Sequence, residues 1–110
     1  MAAGLIGTGG AFSVRSQPAE RVIKIRAYKF SYEPDEITVK VNEPVVLELV
    51  SSDVVMGFNA PDFAARATII PGQTARVRLV PNKPGEFLFH CDVFCGYGHE
   101  DMAGTIRVTP

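Results

Sequence analysis

Short alternations of apolar and polar residues, separated by turn residues, constrain the fold of this chain more than any other feature. Glu36 to Val41 alternates strictly, and Thr74 to Val80 alternates again, with Val77 and Leu79 on one side and arginines on the other. A two-residue period is typical of β-strands with one buried face, and no segment has a long 3.6-residue helical period. The sequence therefore predicts an all-β protein.

About seven strands can be assigned from these alternations and from runs of β-branched residues. Turn residues such as Pro71-Gly72 separate the predicted strands about every 8–12 residues, a spacing typical of a Greek-key sandwich of two sheets. The segments 28–35 and 51–62 are predicted as irregular connections. The predicted strands cover residues 21–27, 36–41, 45–50, 67–70, 74–80, 86–91 and 103–109.

The length of 110 residues fits a single domain, because single cores commonly run to roughly 100–150 residues. Residues 1–20 have neither period, and we interpret them as a flexible N-terminal arm or as the remnant of a signal or membrane anchor. The folded domain is assigned to residues 21–110. No apolar run reaches the roughly 20 residues that a membrane helix needs. The net charge of −1 argues against nucleic acid as a partner.

Both cysteines lie in one late stretch of the chain, together with a histidine and a methionine. The spacing is Cys91-x3-Cys95-x3-His99-x2-Met102. Thiolate, imidazole and thioether groups are the soft and borderline ligands that copper prefers. Because each gap is about one turn of chain, a loop can fold all four side chains around one point.

Strand alternation separates Cys91 from its neighbour His90. Phe87, Phe89 and Cys91 share one face of their predicted strand, and His90 lies on the other. The two phenylalanines mark the core side of that strand. Cys91 is therefore predicted to enter the site from the apolar interior, and His90 is not predicted as a ligand.

The motif Cys-x-x-x-Cys-Gly-x-x-His-x-x-Met resembles the Cu-A site of cupredoxins. In that family it belongs to the electron-entry domain of cytochrome c oxidase subunit II and of nitrous oxide reductase. The resemblance runs from about residue 21 to residue 110 and includes the upstream stretch Ser52-Asp53-Val54-Val55. It implies a cupredoxin-like Greek-key β-sandwich that binds copper and transfers electrons.

The same resemblance implies a set of ligands. Cys91 and Cys95 would each bridge two copper ions. The carbonyl of Val93 would be a weak ligand to one copper, which His99 also binds, and Met102 would bind the other.

One position departs from the family, because Met56 stands where the family has a second histidine. If Met56 takes that role, one copper is held by two thiolates and two thioethers, which favours Cu(I) and raises the potential. Alternatively, Met56 is a poor ligand, and the protein holds one copper or holds copper only as Cu(I) for delivery. A bland role for Met56 is that of an apolar loop residue that packs against Phe58. Both alternatives stay open at this point.

Other chemistries explain less of the motif. A disulfide between Cys91 and Cys95 leaves the spacing of His99 and Met102 unexplained. A structural zinc site takes four Cys or His ligands, and a blue-copper site takes two histidines with one cysteine. A nucleophilic Cys–His pair needs a substrate cleft, and a small sandwich offers little of one.

Two functions follow as predictions. The first is electron transfer in the periplasm or another extracytoplasmic space, by a protein that is not an enzyme alone but could serve as a subunit of an oxidase or reductase. The second is a Cu(I) carrier or assembly protein that hands copper from a mononuclear site to a receiving protein. For the first, we predict an acidic metal end that docks a basic redox partner such as a cytochrome c, with scattered solubilising charge as the alternative. The acidic residues concerned are Asp53, Asp62, Asp92, Glu100 and Asp101.

Overall fold

The computed structural model describes residues 20–94 and 96–110, apart from the side chain of His99. The predicted N-terminal arm, except for Glu20, and one predicted ligand, Cys95, therefore lie outside the described residues. Everything from the first predicted strand to the last is otherwise covered.

The predicted fold class is confirmed, since the described residues form a sandwich of two β-sheets with only two short 3₁₀ helices, Pro61–Phe63 and His99–Asp101. The described residues form nine strands rather than the predicted seven or so. In chain order they are β1 (Arg21–Tyr28), β2 (Ser31–Glu33), β3 (Glu36–Lys40), β4 (Val45–Ser51), β5 (Met56–Ala60), β6 (Ala65–Ile69), β7 (Ala75–Leu79), β8 (Gly85–His90) and β9 (Ala103–Thr109).

One sheet has the strand order β2-β1-β4-β7 and the other has the order β3-β9-β8-β5-β6. β1 pairs in parallel with β4, and β3 pairs in parallel with β9. The remaining pairs are antiparallel. This order brings the start of β5, the end of β8 and the start of β9 to the same end of the five-stranded sheet.

The two additional strands lie in segments predicted as irregular connections, and that prediction was wrong there. β5 pairs with β6 along its whole length, from Met56–Ile69 to Ala60–Ala65. Its outward positions are a glycine and an asparagine, both poor strand formers, so its alternation is weak in sequence. Partner strands rather than intrinsic preference make it a strand. β2 is likewise formed by pairing with the end of β1.

The core lies between the two sheets and is built from the predicted inward faces. Ile37, Val39, Val77 and Leu79 are all buried, while Val41 is partly buried at the edge of the cluster. The arginines that alternate with Val77 are exposed, as predicted.

Three aromatic rings fill the core next to the predicted metal end. The ring centroids of Tyr32 and Phe89 are 4.9 Å apart, and those of Phe58 and Phe89 are 5.0 Å apart. Phe89 lies against the backbone of Gly104 in the neighbouring strand, where an added Cβ would be 2.2 Å from its Cζ. The rings therefore make a tightly packed support beneath the end of β8.

Within residues 20–94 and 96–110, no helix is long and apolar enough to cross a membrane.

Candidate metal centre

Three neighbouring strands bring soft donor groups to one end of the five-stranded sheet. Cys91 follows β8 directly, Met102 immediately precedes β9, and β5 begins at Met56. Their relative exposures are 4%, 1% and 0%. The N–H of Cys91 donates to the carbonyl of Met102 at 3.2 Å, which joins the two ends of the ligand loop. Cys91 is buried, as the strand alternation predicts.

The sulfur of Cys91 contacts two backbone groups. The N–H of Gly57 donates to Sγ at 3.3 Å, and the thiol donates to the carbonyl of Val93 at 3.1 Å. The Val93 carbonyl, predicted as a weak ligand, therefore faces the same sulfur that the motif predicts as a bridging ligand. Since Gly57 follows Met56 in β5, the same contact brings β5 close to the thiol.

Gly57 makes this contact because the strand ladder ends beside it. In the described part of the chain, β5 and β8 pair only at Asn59–His90. In an antiparallel strand the N–H and C=O of one residue point the same way, so both polar groups of Gly57 face the region beyond the ladder. The N–H donates to Cys91, and the carbonyl accepts a 2.7 Å hydrogen bond from the buried Tyr32 hydroxyl.

An ion pair closes the outer side of this region. Arg66 of β6 donates through Nε and Nη2 to the two carboxylate oxygens of Asp92, at 2.6 and 3.0 Å, and through Nη1 to the hydroxyl of Thr68 at 2.8 Å. The hydrogen bond to Asp92 raises the pKa of Arg66 above its usual value. Burial opposes this rise, and attraction to Asp92 and Cys91 adds to it. Asp92 was counted among the acidic residues of the metal end, and its negative charge is thus balanced by the positive charge of Arg66.

The ligand loop bends at two glycines, as its composition predicts. Gly96 and Gly98 have φ angles of 136° and 109°, values that side-chain-bearing residues rarely adopt. An added Cβ at either position would lie 3.1 Å from the ring of Phe30. The loop backbone therefore lies directly against that ring.

Two aromatic side chains of the loop face outward. Phe94 and Tyr97 are 68% and 93% exposed and meet edge to face with centroids 6.1 Å apart. Glu100 and Asp101, in the following 3₁₀ helix, are also exposed. The rim of the metal end thus combines aromatic surface with carboxylates.

The structure therefore places Cys91, Met102, Met56 and the Val93 carbonyl at the same end of the five-stranded sheet, while Cys95 and the side chain of His99 lie outside what it describes. His90 lies on the opposite face of β8 from the buried Phe89, next to Asn59. Among the described residues, no three His, Cys, Asp or Glu side chains form a metal-binding group. The described donors are instead a thiol, two thioethers and a carbonyl, a soft set that fits copper better than a hard cation.

Sequence reasoning missed Tyr32, Gly57 and Arg66. Tyr32 reaches Gly57 across 25 positions, and Arg66 reaches Asp92 across 26. No spacing rule links residues so far apart. The one available signal was the glycine directly after Met56, which indicates a close approach of other atoms.

A two-sheet β-sandwich with soft donors gathered at one end, on and beside a single loop, defines a cupredoxin-type protein. Residues 2–108 match the family of cupredoxin-like domains, and the chain belongs to that family. The resemblance noted from the loop motif is confirmed at this level.

Cytochrome c oxidase subunit 2 of Thermus thermophilus is 33% identical over 95 residues, which cover 86% of this chain and 70% of that protein. Nitrous-oxide reductase of Stutzerimonas stutzeri is 32% identical over 95 residues, but these cover 79% of this chain and 15% of that enzyme. The crystal structure of the periplasmic domain of cytochrome oxidase subunit II from Bradyrhizobium japonicum superposes with a TM-score of 0.77. It shares 23% identity, covers 84% of this chain and 86% of that one, and agrees in fold.

Proposed function

We propose that this chain is an extracytoplasmic electron-transfer domain with a Cu-A-like copper site, which passes electrons within an oxidase or reductase and catalyses no reaction by itself. The observation that carries the proposal is the Cys91 thiol. It is buried just after β8, at the end of the sheet where Met56 and Met102 are also buried, in a chain 33% identical to a cytochrome c oxidase subunit 2. The periplasmic location of the Bradyrhizobium japonicum domain supports the compartment.

The residues that would hold copper are those of the loop motif, with one addition from β5. Copper bound there supplies a carrier of single electrons that alternates between Cu(I) and Cu(II). The Gly57 N–H donates to the Cys91 sulfur and would hold that ligand in place beside β5. The ligands of the proposed dinuclear site are Cys91, Cys95, His99, Met102, the Val93 carbonyl and Met56.

The frame around the donors suits electron transfer. Cys91 is tied through its backbone to β9 and through its sulfur to β5. The rings of Phe89, Phe58 and Tyr32 pack beneath it. Donors held in this way change position little between oxidation states, which keeps the reorganisation energy of electron transfer low. The apolar shell also excludes water and tunes the potential.

The partner proposed for this domain is a basic redox protein such as a cytochrome c. Phe94 and Tyr97 offer the exposed aromatic surface that interface centres favour. Glu100 and Asp101 offer charge that would speed encounter with a basic partner. Salt should therefore slow association; a rate that does not change with salt would exclude electrostatic steering.

A second candidate function is supported by the two buried thioethers. Met56 and Met102 are at most 1% exposed, and thioether sulfur with thiolate favours Cu(I). A protein with such a site could carry one Cu(I) ion to a receiving protein. The carrier differs from the electron-transfer domain in the number of copper ions bound per chain and in the absence of an intense absorption band.

Copper loading of the reduced protein tests both candidates. Two coppers per chain, an intense thiolate charge-transfer band and hyperfine splitting from two equivalent nuclei support the Cu-A-like site. One colourless Cu(I) per chain supports the carrier. Cys91→Ser provides the control, since it removes the sulfur and keeps the side chain small. If copper binding survives that substitution unchanged, the proposed site is wrong.

The role of Met56 has its own test. Met56→His introduces the imidazole that the resembled family has at this position. A shifted absorption spectrum and a lowered potential are expected if this side chain binds metal, because imidazole favours Cu(II) more than thioether does. An unchanged spectrum and potential would mean that residue 56 does not touch the metal.

A further inference from the structure

The segment that carries the Cys91 sulfur stops pairing with β5 before it reaches the predicted metal end, although the Cys91 N–H still donates to the Met102 carbonyl. In the described residues, the ladder between β5 and β8 stops at Asn59–His90, so Cys91, Asp92 and Val93 have no strand pairing on the β5 side. Something other than the ladder must hold this segment against β5. One backbone group of β5, the N–H of Gly57, donates to the sulfur itself at 3.3 Å.

Arg66 and Asp92 supply the missing connection. Asp92 lies one residue beyond Cys91, and Arg66 lies in β6 on the far side of β5. The two hydrogen bonds between guanidinium and carboxylate therefore span β5. A third bond to the Thr68 hydroxyl orients the guanidinium. A bidentate pair fixes both distance and angle, which a single contact does not.

Gly57 makes room for this arrangement. An added Cβ on Gly57 would lie 2.1 Å from Oδ1 of Asp92, 3.0 Å from the Asp92 nitrogen and 3.1 Å from a methyl group of Val93. The φ of Gly57 is not in the range that requires glycine. Glycine is thus needed at this position for space, and the carboxylate of Asp92 occupies that space.

We propose that Arg66, Asp92 and Gly57 form a latch that positions the sulfur of Cys91 and the carbonyl of Val93. All three are positioning residues that act through the backbone of the 91–93 segment. The consequence for copper rests on the proposed function, whereas the latch itself belongs to the protein without metal. The latch and the proposed function can therefore be refuted independently of each other.

The chain offers a matched ion pair with no connection to the metal end. Arg78 donates through Nε and Nη2 to the carboxylate of Glu20, in a pair of similar exposure and geometry. If Arg66–Asp92 were an ordinary surface pair, removing either arginine would have the same small effect. If the latch exists, removal of Arg66 increases the exposure of Cys91 and removal of Arg78 does not.

The test compares Arg66→Ala with Arg78→Ala in the metal-free, reduced protein. Two quantities are measured: the hydrogen-exchange rate of the Gly57 amide, and the rate at which iodoacetamide alkylates Cys91, separated from Cys95 by peptide mapping. Arg66→Ala is expected to raise both rates by about tenfold or more, since local opening exposes both groups, and Arg78→Ala by less than about twofold. Equal rates in the two variants would overturn the latch.

Two further variants keep the test decisive if Arg66→Ala unfolds. Gly57→Ala should mimic the loss of the ion pair, because its Cβ displaces the Asp92 carboxylate. The double variant Gly57→Ala with Asp92→Ala should lose less free energy of unfolding than the sum of the losses in the two single variants. The reason is that the clash between the new Cβ and Oδ1 is then absent. Strict additivity of the two changes would contradict the proposed contact.

Copper loading separates this inference from the proposed function. If the proposed site is correct, Arg66→Ala keeps the copper stoichiometry and alters the hyperfine splitting and potential, while Arg78→Ala changes neither. If the unmodified protein binds no copper, the proposed function fails. The exchange and alkylation rates then still decide the latch.

Discussion

Replacing Tyr32 by Phe removes one buried hydroxyl and leaves the rest of the core unchanged. That hydroxyl donates to the carbonyl of Gly57 at 2.7 Å, in place of the strand partner that β8 does not provide. The ring keeps its edge-to-face contacts with Phe58 and Phe89, so apolar burial is preserved. The substitution therefore isolates the hydrogen bond.

The expected loss follows from the buried carbonyl that is left behind. An unsatisfied buried polar group costs about 1–3 kcal/mol. For a folded domain of this size, each kcal/mol lowers the melting temperature by about 4–8 °C. Tyr32→Phe is therefore expected to lower the free energy of unfolding by about 1–3 kcal/mol, and the melting temperature by roughly 5–20 °C.

Urea unfolding of the metal-free protein measures this change, and the slope m should stay constant because the surface exposed on unfolding is the same. Tyr97→Phe is the matched control. It removes the same atom from a side chain that is 93% exposed, and its effect should stay within about 0.5 kcal/mol. If Tyr32→Phe lowers the free energy of unfolding no more than Tyr97→Phe does, the Tyr32 hydroxyl does not replace a strand partner for the Gly57 carbonyl.

Three further predictions concern other parts of the molecule. Gly104→Ala should lower the free energy of unfolding by about 1–3 kcal/mol or more, because its Cβ would lie 2.2 Å from the Phe89 ring and 2.6 Å from the Asp35 carbonyl; an unchanged urea midpoint would contradict the packing described. The hydrogen bond from Arg78 lowers the pKa of Glu20, so the pair stabilises the fold above the unfolded-state pKa of that carboxyl and loses its effect as the pH falls through the lowered value. Carboxyl NMR titration should give an upward shift for Glu20 in Arg78→Ala, and no shift would refute the pairing. Phe94→Ala and Tyr97→Ala should leave the urea midpoint nearly unchanged but slow association with a cytochrome c, and unchanged association would exclude this rim from docking.

Alternation in the sequence was enough to predict most of the sandwich. Strands with a strong two-residue period, such as β3 and β7, were found where the pattern put them. The same period oriented Cys91 toward the core and His90 away from it. These predictions succeed because the orientation of a strand residue depends only on its immediate neighbours.

The remaining features depend on contacts that the sequence does not order. Met56-Gly57-Phe58-Asn59-Ala60 becomes β5 because β6 pairs with it along its length. The acidic metal end was counted from sequence as five carboxylates, yet Asp92 is bound to Arg66, and Asp53 accepts a hydrogen bond from the backbone N–H of Lys29. The charges of these carboxylates are balanced or bound by partners 24 and 26 positions away in the chain. The strand character of β5 depends on its pairing with a separate strand, β6.

Strand β9 ends the described sandwich in sequence, yet it lies inside the five-stranded sheet between β3 and β8. Its last residue reaches back across 70 positions, where the Thr109 hydroxyl donates to the Val39 carbonyl. Pairings of this range form late in folding. During synthesis, β3 and β8 therefore lack the strand that lies between them until residue 109 has been added. The ligand loop stays open until then. Binding of a metal by the closed loop would therefore require synthesis to have passed Thr109.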